Sequence, residues 1–149
     1  ARIYKMILIS HRGNTNGPNP KTENYPVHIM NVLNQGYDVE IDVWKAGEEW
    51  YLGHEGPKYI VDVKFLQNPH LWCHAKNLEA LESMLEYGIN CFWHQGDDFT
   101  LTSKGDIWTY PRRESCKKTV MVCKEKELSL KMFKEDIKGI CSDYVGALK

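Results

Sequence analysis

The chain has 149 residues with 42% apolar and 26% charged side chains, a balance that excludes wholesale disorder and suits a single domain over 1–149. Its net charge of −1, with Lys and Arg scattered along it, excludes a nucleic-acid surface and confines any anion recognition to a local cluster. Five cysteines without a CxxC pair suit reduced, buried thiols. With no signal-peptide layout and no apolar run of membrane-spanning length, we expect a cytoplasmic protein without stable membrane insertion.

In chain order, Met6–Ile9 reads as a buried strand ending in Ser10, His11, Arg12 and Gly13. Asn24–Asn34 reads as a helix, with Asn24 as cap, Pro26 in its first turn and Gly36 as its stop. Asp38–Trp44 alternates as a strand, and Trp50–Gly53 is its hairpin partner across Ala46–Glu48. Leu71–Ala75 is a further strand. The helix 77–87 follows, with Leu78, Leu81, Met84 and Leu85 on one face and Gly88 as its stop. The pattern continues with strands at 89–94, 107–110 and 119–123, a helix at 128–137 and a strand at 139–144. Strands alternating with helices imply a mainly parallel sheet with crossovers. Open sheet and closed barrel both satisfy the pattern, although a full barrel usually needs about 250 residues.

The chemistry gathers on Asp38–Val43. Glu40 and Asp42 share one face of the strand, roughly 7 Å apart, while Val39, Ile41 and Val43 share the other. Two carboxylates on one face of a core strand repel each other and lose hydration, so they point to a cation between them. All-oxygen ligands suit Mg²⁺ or Ca²⁺. Strand C-termini form the ligand crevice of parallel α/β folds; His11, Arg12, Glu40, Asp42, His74 and Lys76 all fall at such ends, and His54 lies one hairpin away. Trp108 and Tyr110 suit an apolar wall for a substrate tail. Asp97–Asp98 reads as an Asp/Gly turn rather than a second cation site.

The ordered set His11–Arg12–Gly13, Glu23–Asn24, Glu40–Ile41–Asp42 and His54 resembles the glycerophosphodiester phosphodiesterase family, whose pattern runs H-R, E-x-D, H. Downstream, His74–Ala75–Lys76 aligns with the family's E-x-K strand, and Ile140–Tyr144 with its closing strand. The resemblance implies an α/β fold of the (β/α)₈ TIM-like barrel type, reduced in size with several helices shortened to loops. It also implies a phosphoric diester hydrolase that uses a divalent metal ion.

Carried over by position, His11 and His54 are the general acid–base pair, Glu40 and Asp42 hold the metal, and Arg12 and Lys76 neutralise phosphate. Glu23 matches a family carboxylate near the site, in contact with the metal or orienting the loop. His74 stands where the family has a third metal carboxylate, which brings Mn²⁺ or Zn²⁺ alongside Mg²⁺ and Ca²⁺. The expected partner is a small-molecule phosphodiester. Two other functions fit the same residues: a phosphate-binding barrel without turnover, and a cyclising lyase like the spider-toxin phospholipases D.

Overall fold

A computed structural model describes residues 6–148. Ten strands form one sheet: β1 (Ile7–His11), β2 (Asp38–Ala46), β3 (Glu49–Leu52), β4 (Tyr59–Val61), β5 (Leu71–Ala75), β6 (Cys91–Phe92), β7 (Phe99–Leu101), β8 (Ile107–Thr109), β9 (Thr119–Cys123) and β10 (Gly139–Ser142). The helices are α1 (Pro26–Asn34), α2 (Val63–Leu66), α3 (Leu78–Glu86) and α4 (Lys126–Met132).

The expected (β/α)₈ barrel is not what forms. The described residues form a mixed sheet curled into a half-barrel with only four short α-helices and one 3₁₀ turn, Val145–Ala147. Its continuous part is parallel, in the order β6-β5-β2-β1-β10-β9-β8. The strands β3 and β4 fold back antiparallel on the far end of β2, and β7 returns antiparallel on β8. No ladder joins β6 to β8 among the described residues.

The cause lies in the connections. Crossovers of helical length follow β1, β5 and β9, whereas the chain leaves β6 through a Gly/Asp-rich turn and enters a hairpin. A two-residue β6 offers little backbone to pair. Ser103 takes up the backbone of Cys91 instead, its hydroxyl accepting from the Cys91 amide (2.8 Å) and its own amide donating to the Cys91 carbonyl (2.8 Å).

Alternation sorts the side chains into layers. Outward residues Val39, Ile41, Val43, Cys73 and Cys91 pack with Ile29, Val32 and Met84 of α1 and α3. A second outer cluster, with Met121, Ile140 and Leu128, lies under α4. Inside the curl sit Ile9, Trp72, Phe92, Trp108, Val120 and Cys141. Phe92 stacks on Trp108 at 4.3 Å between ring centroids, so aromatic packing fills the seam where hydrogen bonding stops. No helix among the described residues is long and apolar enough to cross a membrane.

All five cysteines are free thiols; Cys73, Cys91, Cys123 and Cys141 are buried and Cys116 is exposed. Burial pushes Cys123 up to about 12, which makes it unreactive near neutrality. A thiol reagent should therefore titrate one cysteine in the native protein and all five after denaturation; two or more fast-reacting native thiols would contradict this packing.

Candidate active site

Strand register brings the predicted residues together. β1 pairs with β2 so that His11 lies beside Glu40, and β2 pairs with β5 so that Asp42 lies beside His74. Residues paired in register share a face, so all four side chains enter the concave side at the strand C-termini. The β2–β3 hairpin brings back His54, whose Nδ1 lies 3.5 Å from Asp42 Oδ2. Gly53 makes this return possible: its φ is +156°, and a Cβ there would sit 2.0 Å from the Gly56 carbonyl oxygen.

Glu40 and Asp42 are buried, at 2% and 1% exposure. Burial, and then the charge of Asp42, push the Glu40 carboxyl well above its ordinary value. Burial acts the same way on Asp42, but the His54 and His74 imidazoles, the Arg12 charge and the Asn24 hydrogen bond outweigh it and hold that carboxyl well below its usual range. Arg12 Nε lies 3.3 Å from Asp42 Oδ2. Asn24 clasps the same carboxylate, donating from Nδ2 to Oδ2 (3.0 Å) and accepting the Asp42 amide at Oδ1 (2.9 Å). Arg12 and Asn24 both adopt left-handed backbone, with φ of 59° and 60°, a conformation costly for side chains with a Cβ and concentrated at functional sites. They are tied in place by Arg12 N–H to Glu40 O and Asn24 N–H to Arg12 O.

Asn24 is thus not the helix cap that the sequence suggests. The cap position of α1 is Tyr25, without a side-chain bond, and the Asn24 amide is spent on Asp42.

The donors fit a divalent cation. His74 Nε2 donates to the His94 carbonyl (3.0 Å), so in the neutral ring Nδ1 carries a lone pair. That atom lies 3.7 Å from Glu40 Oε2 and 3.4 Å from Asp42 Oδ1. Glu40 Oε1 and Asp42 Oδ1 are buried and accept no hydrogen bond. One ligand atom from each of Glu40, Asp42 and His74 lies within 4.8 Å of the others. These three acceptors could together hold a cation, and an imidazole anchored by its second nitrogen to a carbonyl is the usual form of a metal-bound histidine.

His11 is held differently. Its Nδ1 donates to Asp143 Oδ1 at 2.8 Å, leaving the Nε2 lone pair 3.8 Å from Glu40 Oε1. Burial raises the Asp143 carboxyl, but the hydrogen bonds from His11 and Asn14 and the Arg12 charge outweigh it and keep it low. Sequence reasoning gave Asp143 no role. Its signal was a carboxylate one residue past Ser142, in register with the residue after Ser10. Glu23 stays off the cluster: it pairs with Arg12 Nη1 at 3.5 Å and accepts from Asn14 Nδ2 at 2.9 Å, orienting the loop.

A pocket of about 380 Å³ opens over these groups, lined also by Lys76, Lys124, Trp108 and Tyr110. Trp108 is 4% exposed and belongs to the inner core, so it floors the pocket rather than walling its mouth. Asp97–Asp98 forms the predicted turn, where Asp98 pairs with Arg113 at 2.9 Å. No family model, curated protein or solved structure matches the chain.

Without metal, Glu40 should oppose folding. Because its folded pKa lies above the ordinary 4.5, stability is greatest below that value and is lost as pH rises through the folded pKa. Metal-free Glu40→Gln should therefore melt higher than the parent at neutral pH, with the gap closing toward about pH 5. Thermal scans across that range test it, and a gap independent of pH would contradict it.

Proposed function

We propose that the protein is a metal-dependent phosphodiesterase acting on a small, glycerophosphodiester-type substrate. The observation that carries this reading is the meeting of two imidazoles, His11 and His54, on either side of the acceptor cluster of Glu40, Asp42 and His74 at one sheet mouth. A phosphodiester is anionic and its alkoxide leaves poorly, so catalysis needs positive charge, a base and an acid. A divalent ion held by Glu40, Asp42 and His74 supplies Lewis-acid stabilisation of the phosphoryl oxygens when bound.

The remaining work falls to side chains. His11, locked by Asp143 with its Nε2 lone pair toward the pocket, takes the proton of the attacking oxygen. His54 in its imidazolium form faces Asp42 through Nδ1 and gives its Nε2 proton to the leaving oxygen. Arg12 Nη2 lies 3.3 Å from His54 Nε2 and, in this reading, moves to the phosphate when substrate arrives. Lys76 adds a point charge from the pocket wall.

The Arg12–His54 contact also favours a second reading, a phosphate-binding site without turnover, because it occupies the nitrogen that the acid must use.

Chromogenic phosphodiester hydrolysis, assayed over a panel of Mg²⁺, Ca²⁺, Mn²⁺ and Zn²⁺ with and without EDTA, separates the two. We expect metal-dependent turnover, with His11→Ala and His54→Ala each losing roughly 10²–10⁴ in rate. Binding without turnover under every metal would falsify the enzyme reading. The donor set gives an independent check by calorimetry. His74→Ala should weaken Mn²⁺ and Zn²⁺ more than Mg²⁺, since the borderline ions gain most from imidazole; equal losses for all three would remove His74 from the ligands.

A further inference from the structure

Asn14 lies between the residues that hold His11 and Arg12. It is 3% exposed, and its side-chain amide is fully committed. Nδ2 donates one proton to Asp143 Oδ1 (2.9 Å) and the other to Glu23 Oε2 (2.9 Å), while Oδ1 accepts the Asn19 amide (3.1 Å). Carboxylates only accept and a main-chain N–H only donates, so the amide has a single orientation. Each acid also reaches one residue of the site. Asp143 Oδ1 takes the His11 Nδ1 proton at 2.8 Å, and Glu23 Oε1 faces Arg12 Nη1 at 3.5 Å. One nitrogen thus joins a chain of contacts that runs His11, Asp143, Asn14, Glu23, Arg12.

We propose that Asn14 is a positioning residue with two outputs: it sets His11 for proton removal and keeps Arg12 available to phosphate. The His11 output rests on the phosphodiesterase reading above, whereas the Arg12 output needs only that phosphate binds. Asp143 and Glu23 bring like charges to one nitrogen and repel each other once that donor is removed. The Asp143 carboxylate then keeps only the His11 hydrogen bond among the described residues, and it can turn together with the ring, which costs Nε2 its aim. Glu23 is released at Oε2, so both of its oxygens can fold onto the Arg12 guanidinium. A carboxylate on that planar fork competes with phosphate for the same donors. By holding one oxygen, Asn14 limits Glu23 to a single contact.

The backbone around Asn14 is secured without its side chain. Its amide donates to the His11 carbonyl (3.0 Å), and its carbonyl accepts from Ser10 Oγ (2.8 Å). Gly17 N–H bonds to Asp143 O (2.7 Å) and Gly146 N–H to Thr15 O (2.8 Å), which stitches the loop to the end of β10. A Cβ on Gly146 would sit 2.8 Å from Thr15 O, so the second stitch needs glycine. Replacing the Asn14 side chain should therefore disturb the two acids and not the fold.

Two double-mutant cycles test this. One reads kcat of metal-loaded protein on a chromogenic phosphodiester; the other reads, by calorimetry, the Kd of inorganic phosphate for Mg²⁺-saturated protein. We expect Asn14→Ala to lower kcat roughly 10- to 100-fold, the usual effect of removing a group that orients another. It should also weaken phosphate by about threefold or more. In an Asp143→Asn background the same substitution should lower kcat by less than about twofold. In a Glu23→Gln background it should leave the phosphate Kd within about twofold. A general loosening of the fold would instead carry its full effect into both backgrounds.

A full effect in either background removes that output, and parental kcat and Kd in Asn14→Ala overturn the whole assignment. If Asn14→Ala unfolds, Asn14→Asp, which keeps the shape but turns the donor into an acceptor, decides by the same cycles. Unfolding of both also overturns it, because the main-chain bonds alone should hold the loop. A parent that turns over no diester with any metal overturns the phosphodiesterase reading, and the phosphate cycle then decides the Arg12 output by itself. A parent that also binds no phosphate overturns both.

Discussion

Two carboxylates buried side by side govern this end of the molecule. Ligand atoms of Glu40 and Asp42 lie within 4.8 Å, where two like charges repel by about 3 kcal/mol or more at an effective dielectric near 20. Desolvation adds several kcal/mol per ion. The surrounding structure is arranged as compensation. Arg12 and Asn24 accept left-handed backbone to reach Asp42, and the main chain ties Arg12 to β2 and Asn24 to Arg12. The His94 carbonyl fixes which nitrogen of His74 faces the acids. Even so, Glu40 Oε1 and Asp42 Oδ1 keep no hydrogen-bond partner, and nor do the donors Arg12 Nε and His54 Nδ1 beside them, a concentration of unpaired buried groups of the kind found at functional sites.

The centre of the site was legible because period-two alternation is a local rule. Glu40 and Asp42 had to share a face, and His11 and Lys76 had to follow strand ends. What needed partners distant in sequence was not legible. Asn24 precedes a proline-started helix and so reads as a cap; only the fold shows its amide spent on an acid 18 residues away. Asp143 reaches His11 across 132 residues of sequence, through the parallel pairing of the last strand with the first.

The error in fold class has a similar origin. Strand–helix alternation in the first half and around β9–β10 was extended to the whole chain. The segment between β6 and β9 instead spends its residues on the β7–β8 hairpin and turns. Short strands such as Phe99–Leu101, exposed on an edge, carry too little periodicity to be distinguished from loop.

An open barrel can suffice for the proposed chemistry because the break in the ladder lies between β6 and β8, away from the acids. The groups of the candidate site lie on or just past β10, β1, β2 and β5, four neighbours in the uninterrupted parallel run, with His54 added by the β2–β3 return. Their spacing is set by main-chain hydrogen bonds and needs no closure. The seam does reach the site by one route. His74 stacks on Phe92 at 5.0 Å, Phe92 on Trp108 at 4.3 Å, and Trp108 lies 5.9 Å from Trp72, so a column of rings crosses from β5 to β8. That column is buried and stacks on the His74 ring, while the His94 carbonyl fixes the ring's proton. Side-chain packing thus takes over, at the seam, the work that a closed ladder of backbone hydrogen bonds performs in a full barrel.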